Sequence, residues 1–319
     1  MDKIYPLIAW PTPSITNSLP GHYGLPSLQN LLLAQEKKHQ HYFKMLWLKK
    51  WMRLLDIWCG WWPFMQYCRK RWVESEGLTL SSAQYNYLLQ QWFTVHYNSR
   101  QDYQTEKKYD VIVAIGSIEH FVSPVNLVKN QQDNIYKHLF QKIYSRLNDN
   151  GTFGWQFMTW DGKEPDYNLL KWVKEIIKWG NKNDIIFKWW RWMKPSDMII
   201  KLHAEKWSKY YHLALLTEFY PWSWLPIDFD HFYKNGEKLF DIIQTIDGRE
   251  HYIWTMACRG NQFRKWRPWI KRRYITKLLS NFFTDPNFIY WAKAFWGKSN
   301  RLCFINNRMG HEFFFLRKK

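Results

Sequence analysis

The chain has 319 residues and 46% of them are hydrophobic, which excludes global disorder and leaves room for one large domain or two small ones. Lysine and arginine number 46 against 27 acidic residues, and the net charge of +19 favours anionic partners: phospholipid headgroups, nucleic acid or acidic substrates. Four widely spaced cysteines (Cys59, Cys68, Cys258, Cys303) form no CxxC pair, which argues against a metal site or a disulfide framework and fits a reducing cytoplasm. No apolar run approaches the ~18 residues of a membrane span. The N-terminal apolar patch is short and broken by proline, unlike a signal peptide. Tryptophan is abundant, 23 residues, while glycine, with 14, falls well below its usual ~7%.

In chain order, residues 1–27 are rich in Pro, Ser and Gly and read as an extended arm or lid. Residues 29–46 have helical periodicity, with Lys and His placed on the polar side. "MRLLDI" reads as a buried strand, "PFMQYCRKR" as a helix and "VESEGLTL" as a second strand. Ser81 is placed to cap the next helix, "SAQYNYLLQQ". "FTVHYN" is a third strand, and "YDVIVAIGSI" a fourth with the continuous apolar character of a strand covered on both faces. A helix at about 130–147 leads through the turn signal "NDNG" into "TFGWQFMT". Residues 161–240 read as a helical insertion carrying Trp, Lys and Pro; "KLFDIIQTI" returns to strand, 250–300 is mostly helical, and "HEFFFLRKK" reads as a final edge strand. Strands alternating with helices at this spacing predict an α/β fold with a doubly wound parallel sheet. The expected division is an arm over 1–44, a core over 45–160, a helical cap over 161–240 and a C-terminal completion of the core over 241–319.

Open parallel sheets bind ligands at the carboxyl ends of their strands. Three such ends carry polar groups here: Asp56 to Trp62 in "DIWCGWW", residues 76–84 in "EGLTLSSAQ", and residues 116–121 in "GSIEHF". Appearing together and in this order, the three are more specific than any one of them.

These stretches resemble the class I S-adenosylmethionine-dependent methyltransferases, and within them the cyclopropane-fatty-acyl-phospholipid synthase family (mycolic acid cyclopropane synthase-like). "LDIWCGWW" is similar to that family's LDIGCGWG, "GLTLSSAQ" to GVTLSxxQ and "IGSIEHF" to IGxxEHF. "YPWSWLP" (220–226) is similar to FPxGxLP and "HYIWTM" (251–256) to HYxxTL. The resemblance covers roughly residues 45–256. It implies a Rossmann-like methyltransferase sheet with helices on both faces and a helical lid. Asp56, Trp58, Cys59 and Gly60 would hold the amino acid end of S-adenosylmethionine. Thr79, Leu80, Ser81 and Gln84 would face ribose and adenine, Asp102 and Tyr103 the adenine, and Ile115 and Gly116 the methionine portion.

In that family the methyl group is attacked by a cis alkene of an acyl chain, and a bound bicarbonate removes a proton so that a cyclopropane ring closes. Glu119 and Tyr252 match two of the bicarbonate holders. Gln156 stands where the family has histidine and cannot carry positive charge, which leaves a simpler C-methylation as the alternative. His120 reads as a structural residue. No metal is expected. A bilayer surface of anionic lipid suits the basic, aromatic stretch "RKWRPWIKRR" (264–273), and single-stranded nucleic acid is its rival. Both the charge and the resemblance lead to an expectation of a cytoplasmic protein, peripheral at the inner membrane face.

The resemblance also bears on the tryptophans. Trp58 and Trp62 fall on family glycines, and Trp47, Trp51, Trp72, Trp92 and Trp222 read naturally as glycine, whereas Trp61 matches the family's own tryptophan. Two explanations follow. Either UGA codons read as glycine are written here as tryptophan, or the residues are real and the protein is a non-catalytic basic lipid- or nucleic-acid-binding relative with a crowded cofactor turn.

Overall fold

The computed structural model describes residues 25–61, 63–160, 223–264, 272 and 299–319. The N-terminal arm up to residue 24, Trp62, the insertion over 161–222 with Trp222, and most of the basic stretch at 264–273 lie outside the described residues.

Helix α1 (Leu28–Met45) starts at Ser27, whose side chain accepts from the Asn30 amide. Its buried face is Leu31, Ala34, Gln35, Lys38, His39 and Tyr42, the three-and-four spacing of a helix seated on a core. Lys38 and His39 are therefore not on the polar side, contrary to the expectation from their charge. The helix is part of the core rather than of an arm: the Tyr42 hydroxyl donates to the Trp155 carbonyl at 3.0 Å.

Strands β1 (Arg53–Asp56), β2 (Glu74–Thr79), β3 (Thr94–Tyr97), β4 (Tyr109–Ile115) and β5 (Leu147–Thr159) run parallel. Between them lie α2 (Pro63–Arg69), α3 (Ser82–Gln90), a 3-10 turn (Ile118–His120), α4 (Pro124–Val128) and α5 (Gln132–Arg146). Then follow α6 (Phe229–Tyr233), β6 (Phe240–Asp247), α7 (Arg249–Arg264), α8 (Ser299–Ile305) and β7 (Gly310–Lys318). The sheet order is β3-β2-β1-β4-β5-β7-β6, with β7 antiparallel to both neighbours. The last strand is thus internal, not an edge. β6 is the edge, and its burial pattern is mixed. "NDNG" is likewise not a turn between elements: it lies inside β5, where Asn150 takes φ 61 and the register against β4 shifts.

The strands alternate their side chains between two apolar layers. Leu54, Val111, Val113, Phe313 and Phe315 face α1 and α2, joining Tyr42, Phe64 and Tyr67. Leu55, Ile112, Ala114, Phe314 and Leu316 face α5 and α6, joining Tyr136, Phe140, Ile143 and Phe232. A sheet covered on both faces has apolar residues at odd and even positions alike, which is the pattern of β4. In the second layer Phe140 meets Trp155, Phe232 and Phe240 at ring distances of 5.0, 5.0 and 5.8 Å. Truncating such a ring to alanine costs about 3–5 kcal/mol.

Strand order reverses between β1 and β4, so the crevice available to a ligand opens beyond Asp56 and Ile115.

Candidate active site

The turn after β1 forms one wall of that crevice. Ile57 extends the pairing by donating its amide to the Val113 carbonyl at 3.0 Å. The Asp56 carboxylate accepts from the Trp58 amide at 3.1 Å. Burial raises Asp56 to about 7, opposed by that amide and by the charge of Lys38. Lys38, fully buried, is in turn pushed well below its ordinary range by desolvation, with Asp56 opposing. Cys59 is buried, donates its amide to the Leu78 carbonyl, and fills the space a side chain on Gly77 would need, 2.7 Å from its sulfur. The left-handed residue of the turn is Gly60, φ 54, not Trp58. Trp58 therefore carries no left-handed backbone strain; the difficulty is its side chain. The indole lies against His120, ring centroids 5.8 Å apart at 29°, bridging the ends of β1 and β4 where the crevice opens.

The second wall is self-bonded. The Thr79 hydroxyl donates to the Gln84 side-chain oxygen at 2.7 Å and accepts from the Ser81 amide. Ser81 caps α3 by accepting from the Gln84 amide, as its position predicts. Leu80 is exposed and faces outward at the strand end. Asp102 is exposed and accepts from the Ser99 hydroxyl. Tyr103 is a correction. It is buried, and its hydroxyl bonds Tyr109 at 3.0 Å and Glu76 at 3.3 Å, groups at the amino-terminal side of β4 and midway along β2. Its side chain is committed to the core, away from the carboxyl ends, because the loop before β4 folds it inward.

The third group surrounds the end of β4. Gly116, φ 69, donates its amide to the Gln156 carbonyl at 2.8 Å, next to Ile115. Glu119 is buried; its Oε1 accepts from the Met158 amide at 3.0 Å while its Oε2 has no partner among the described residues. Burial raises this carboxyl to about 7, the two backbone amides opposing. Gln156 lies two residues before Met158 on β5, and its side-chain nitrogen is 3.3 Å from His311 Nε2 on β7. His311 stacks on Tyr252 of α7, 5.6 Å apart at 24°. Glu119, Gln156 and Tyr252, distant in sequence, are all buried and are joined into one cluster through Met158 of β5 and His311 of β7. His120, next to Glu119, bonds Ser223 at 2.7 Å, and burial lowers it to about 4, in keeping with a structural role.

Sequence reading missed Lys38 and His311. Lys38 sits among charged neighbours in "EKKHQH", and His311 precedes an aromatic run; neither carries a spacing signal. Among the described residues no group of three His, Cys, Asp or Glu side chains is placed to hold a metal, and no helix is long and apolar enough to cross a membrane.

A seven-stranded mixed sheet with this reversal, two left-handed glycines at the ends of β1 and β4 and a buried carboxylate beside them defines a Rossmann-like methyltransferase fold. Residues 25–183, just under half of the chain, match the family model described as mycolic acid cyclopropane synthetase. The whole chain aligns with 94% of a cyclopropane synthase from Mycobacterium tuberculosis, TM-score 0.66 and 17% identity. It aligns equally with 94% of a mycolic acid cyclopropane synthase complexed with SAH and CTAB, TM-score 0.63 and 19% identity. Coclaurine N-methyltransferase bound to N-methylheliamine and SAH is similar over 99% of this chain and 80% of its own, TM-score 0.63 and 11% identity. No curated protein matches the sequence.

Proposed function

We propose that the protein transfers a methyl group from S-adenosylmethionine to a cis alkene in the acyl chain of a phospholipid and supports closure to a cyclopropane ring. The observation that carries this reading is the buried Glu119–Gln156–Tyr252 cluster at the end of β4, beside the reversal of strand order. The cofactor fit is good at the backbone. A side chain on Gly60 would meet nothing within 4 Å among the described residues, and Gly116 presents a second left-handed turn. The fit fails at the Trp58 indole, which stands in the crevice.

When bound, S-adenosylmethionine supplies an electrophilic methyl group. The residues of the chain do the rest. The turn Asp56–Gly60 and the Thr79–Gln84 strand end hold and orient. Addition to an alkene leaves positive charge on the acyl chain, and ring closure needs a proton removed. Glu119, raised to about 7, exchanges between a donor and an acceptor form near neutral pH and can anchor or act as the proton acceptor. Bicarbonate belongs to this proposal as the small acceptor the cluster would seat. Tyr252 reaches the cluster through its ring, which stacks on His311.

The substrate side of the proposal places the protein at the cytoplasmic face of an anionic membrane, drawn there by its +19 charge. A second reading, C-methylation without ring closure, is favoured by one observation: Gln156 is uncharged where an anion would gain from a cation. Mass spectrometry of total lipids after expression of the chain with Gly at 47, 51, 58, 62, 72 and 92 tests both. Cyclopropane acyl chains support the first, methyl-branched acyl chains that keep a double bond (the cation losing a proton from a neighbouring carbon) support the second, and unchanged lipids overturn both.

A further inference from the structure

Three helices end in the same hydrogen-bond pattern with tryptophan at its left-handed position. After α1, Trp47 (φ 47) donates to Lys44 and Leu48 to Phe43, each at 3.1 Å. After α2, Trp72 (φ 61) donates to Arg69 at 3.1 Å and Val73 to Cys68 at 3.2 Å. After α3, Trp92 (φ 59) donates to Leu89 at 3.0 Å and Phe93 to Leu88 at 3.1 Å. This pair of bonds is the Schellman cap, whose left-handed residue is usually glycine and sometimes asparagine. Two further helices end in the same pattern, with Asn130 and Asn307 in that place. Trp51 (φ 70) is the third residue of a four-residue turn closed by Met52 to Lys49 at 3.2 Å, a position that type II turns reserve for glycine.

Among the described residues every left-handed position outside glycine is asparagine or tryptophan. Asparagine is excused by its short polar side chain. Tryptophan has no such excuse, and burial does not compensate: the four are 42%, 61%, 63% and 91% exposed for Trp47, Trp51, Trp72 and Trp92, with surface contacts only, Arg317 over Trp47 and Lys50 over the Trp51–Trp72 pair. We infer that the protein made in its own cell carries glycine at 47, 51, 72 and 92, from UGA codons read there as glycine. The same reading at Trp58 removes the indole from the crevice and completes the cofactor turn. Neither Trp58 nor Trp61 is left-handed, so the backbone argument reaches neither; at Trp58 the ground for glycine is the crevice, whereas Trp61, whose ring packs on Tyr87 at 5.6 Å, matches the family's own tryptophan and stays.

Sequencing the gene and mapping peptides of the native protein by mass spectrometry test this. The expected result is UGA with a glycine mass at the four positions and UGG with a tryptophan mass at 61. The unaltered gene in a host that terminates at UGA should give only truncated chains. UGG at the four positions, tryptophan in the native peptides, or a full-length product in that host would each overturn the inference.

A different observation carries a second inference, which rests on the proposed function. Gln156 and His311 face each other nitrogen to nitrogen at 3.3 Å, while Gln156 Oε1 and His311 Nδ1 have no partner among the described residues. His311 is fully buried and held neutral by desolvation, with the charges of Lys38 and His251 acting the same way. Turning the amide lets His311 Nε2–H donate to Gln156 Oε1 and points the amide N–H groups away from the ring. The geometry points to His311 as a positioning residue that fixes Gln156 as a donor to the small oxyanion beside Glu119. β7 thereby contributes the imidazole missing from β5.

Nuclear magnetic resonance of the glycine-bearing chain gives a readout independent of turnover. The His311 ring should show the Nε2–H tautomer at neutral pH, and bicarbonate should shift the Gln156 side-chain resonances in the parent but not in His311→Leu. With lipid substrate, His311→Leu should raise the bicarbonate concentration needed for half-maximal rate about tenfold or more, and the exchange Gln156→His with His311→Gln should restore it. An Nδ1–H tautomer, or a bicarbonate response unchanged in His311→Leu, overturns the inference. A parent that binds bicarbonate but modifies no lipid overturns the proposed function instead.

Discussion

The Met158 amide donates to Glu119 Oε1 at 3.0 Å and leaves Oε2 of the same buried carboxyl without a partner among the described residues. One oxygen is thus fixed by the strand, and the other is the one the proposed chemistry would use. Glu119→Gln preserves the amide contact and removes only the ionisable proton. It should leave S-adenosylmethionine affinity within a factor of about two and lower turnover by roughly 10²–10⁴. Single-turnover rates and calorimetry on one preparation check this; loss of affinity and melting temperature together, with turnover preserved, would make Glu119 a structural residue.

Stability should depend on pH through the same group. Its carboxyl is raised to about 7 from the ordinary 4.5. Between those values the folded state holds a proton that the unfolded state has lost, so this contribution is full below about 4.5, declines as pH rises, and is gone above about 7. Asp56, also raised to about 7, adds in the same direction. His120, lowered to about 4, acts oppositely: its contribution is present above 6.5 and lost as pH falls towards 4. Denaturant melts of Glu119→Gln and the parent from pH 4 to 8 should converge at the acid end, with the variant gaining relative stability towards neutrality. Parallel curves would show that Glu119 ionises freely in the folded protein.

Trp58→Gly should create cofactor affinity. The indole occupies the space between the ends of β1 and β4, where the ligand's polar end would lie. The glycine variant should bind S-adenosylmethionine in the micromolar range or tighter, about −8 kcal/mol, and the tryptophan form far more weakly. Equal affinity by calorimetry would show that the indole swings aside at no cost.

Trp92→Gly isolates the backbone term. The side chain is 91% exposed, so little packing is lost. Relief of the left-handed strain outweighs the extra freedom of glycine in the unfolded chain, and the variant should be more stable by about 1 kcal/mol. A lower melting temperature would mean that tryptophan is well accommodated there.

Anionic vesicles should sediment the protein at low salt and release it at high salt. Each basic residue near such a surface contributes about 1 kcal/mol, so a few of the excess charges suffice. Failure to sediment at low salt would move the substrate away from membrane lipid.

The parallel half of the sheet was legible because β1 and β4 are apolar at successive positions and each ends on a polar turn, a pattern few other arrangements produce. The Ser81 cap was legible for the same local reason. What lay beyond reach was non-local. Arg317, Lys318 and Lys319 make the last strand look like a solvated edge, but they project at its end while Phe313 to Leu316 are buried on both faces. Lys38 looks like a surface lysine until Asp56 is known to lie near it. His311 meets Gln156 across 155 residues of chain. Tyr103 matched a short motif whose side chain the loop turns the other way.

Placing β7 between β5 and β6 has a consequence for synthesis. The strand that joins β6 to the rest of the sheet is made after every other element described, so β6 has no neighbour until residues 310–318 leave the ribosome. Phe153, Trp155 and Phe157 of β5 likewise lack their partners until then. The nascent chain must carry an open, aromatic sheet edge through translation, the kind of surface that chaperones hold and that aggregates when it is not held. Premature termination anywhere upstream releases a chain with that edge permanently open.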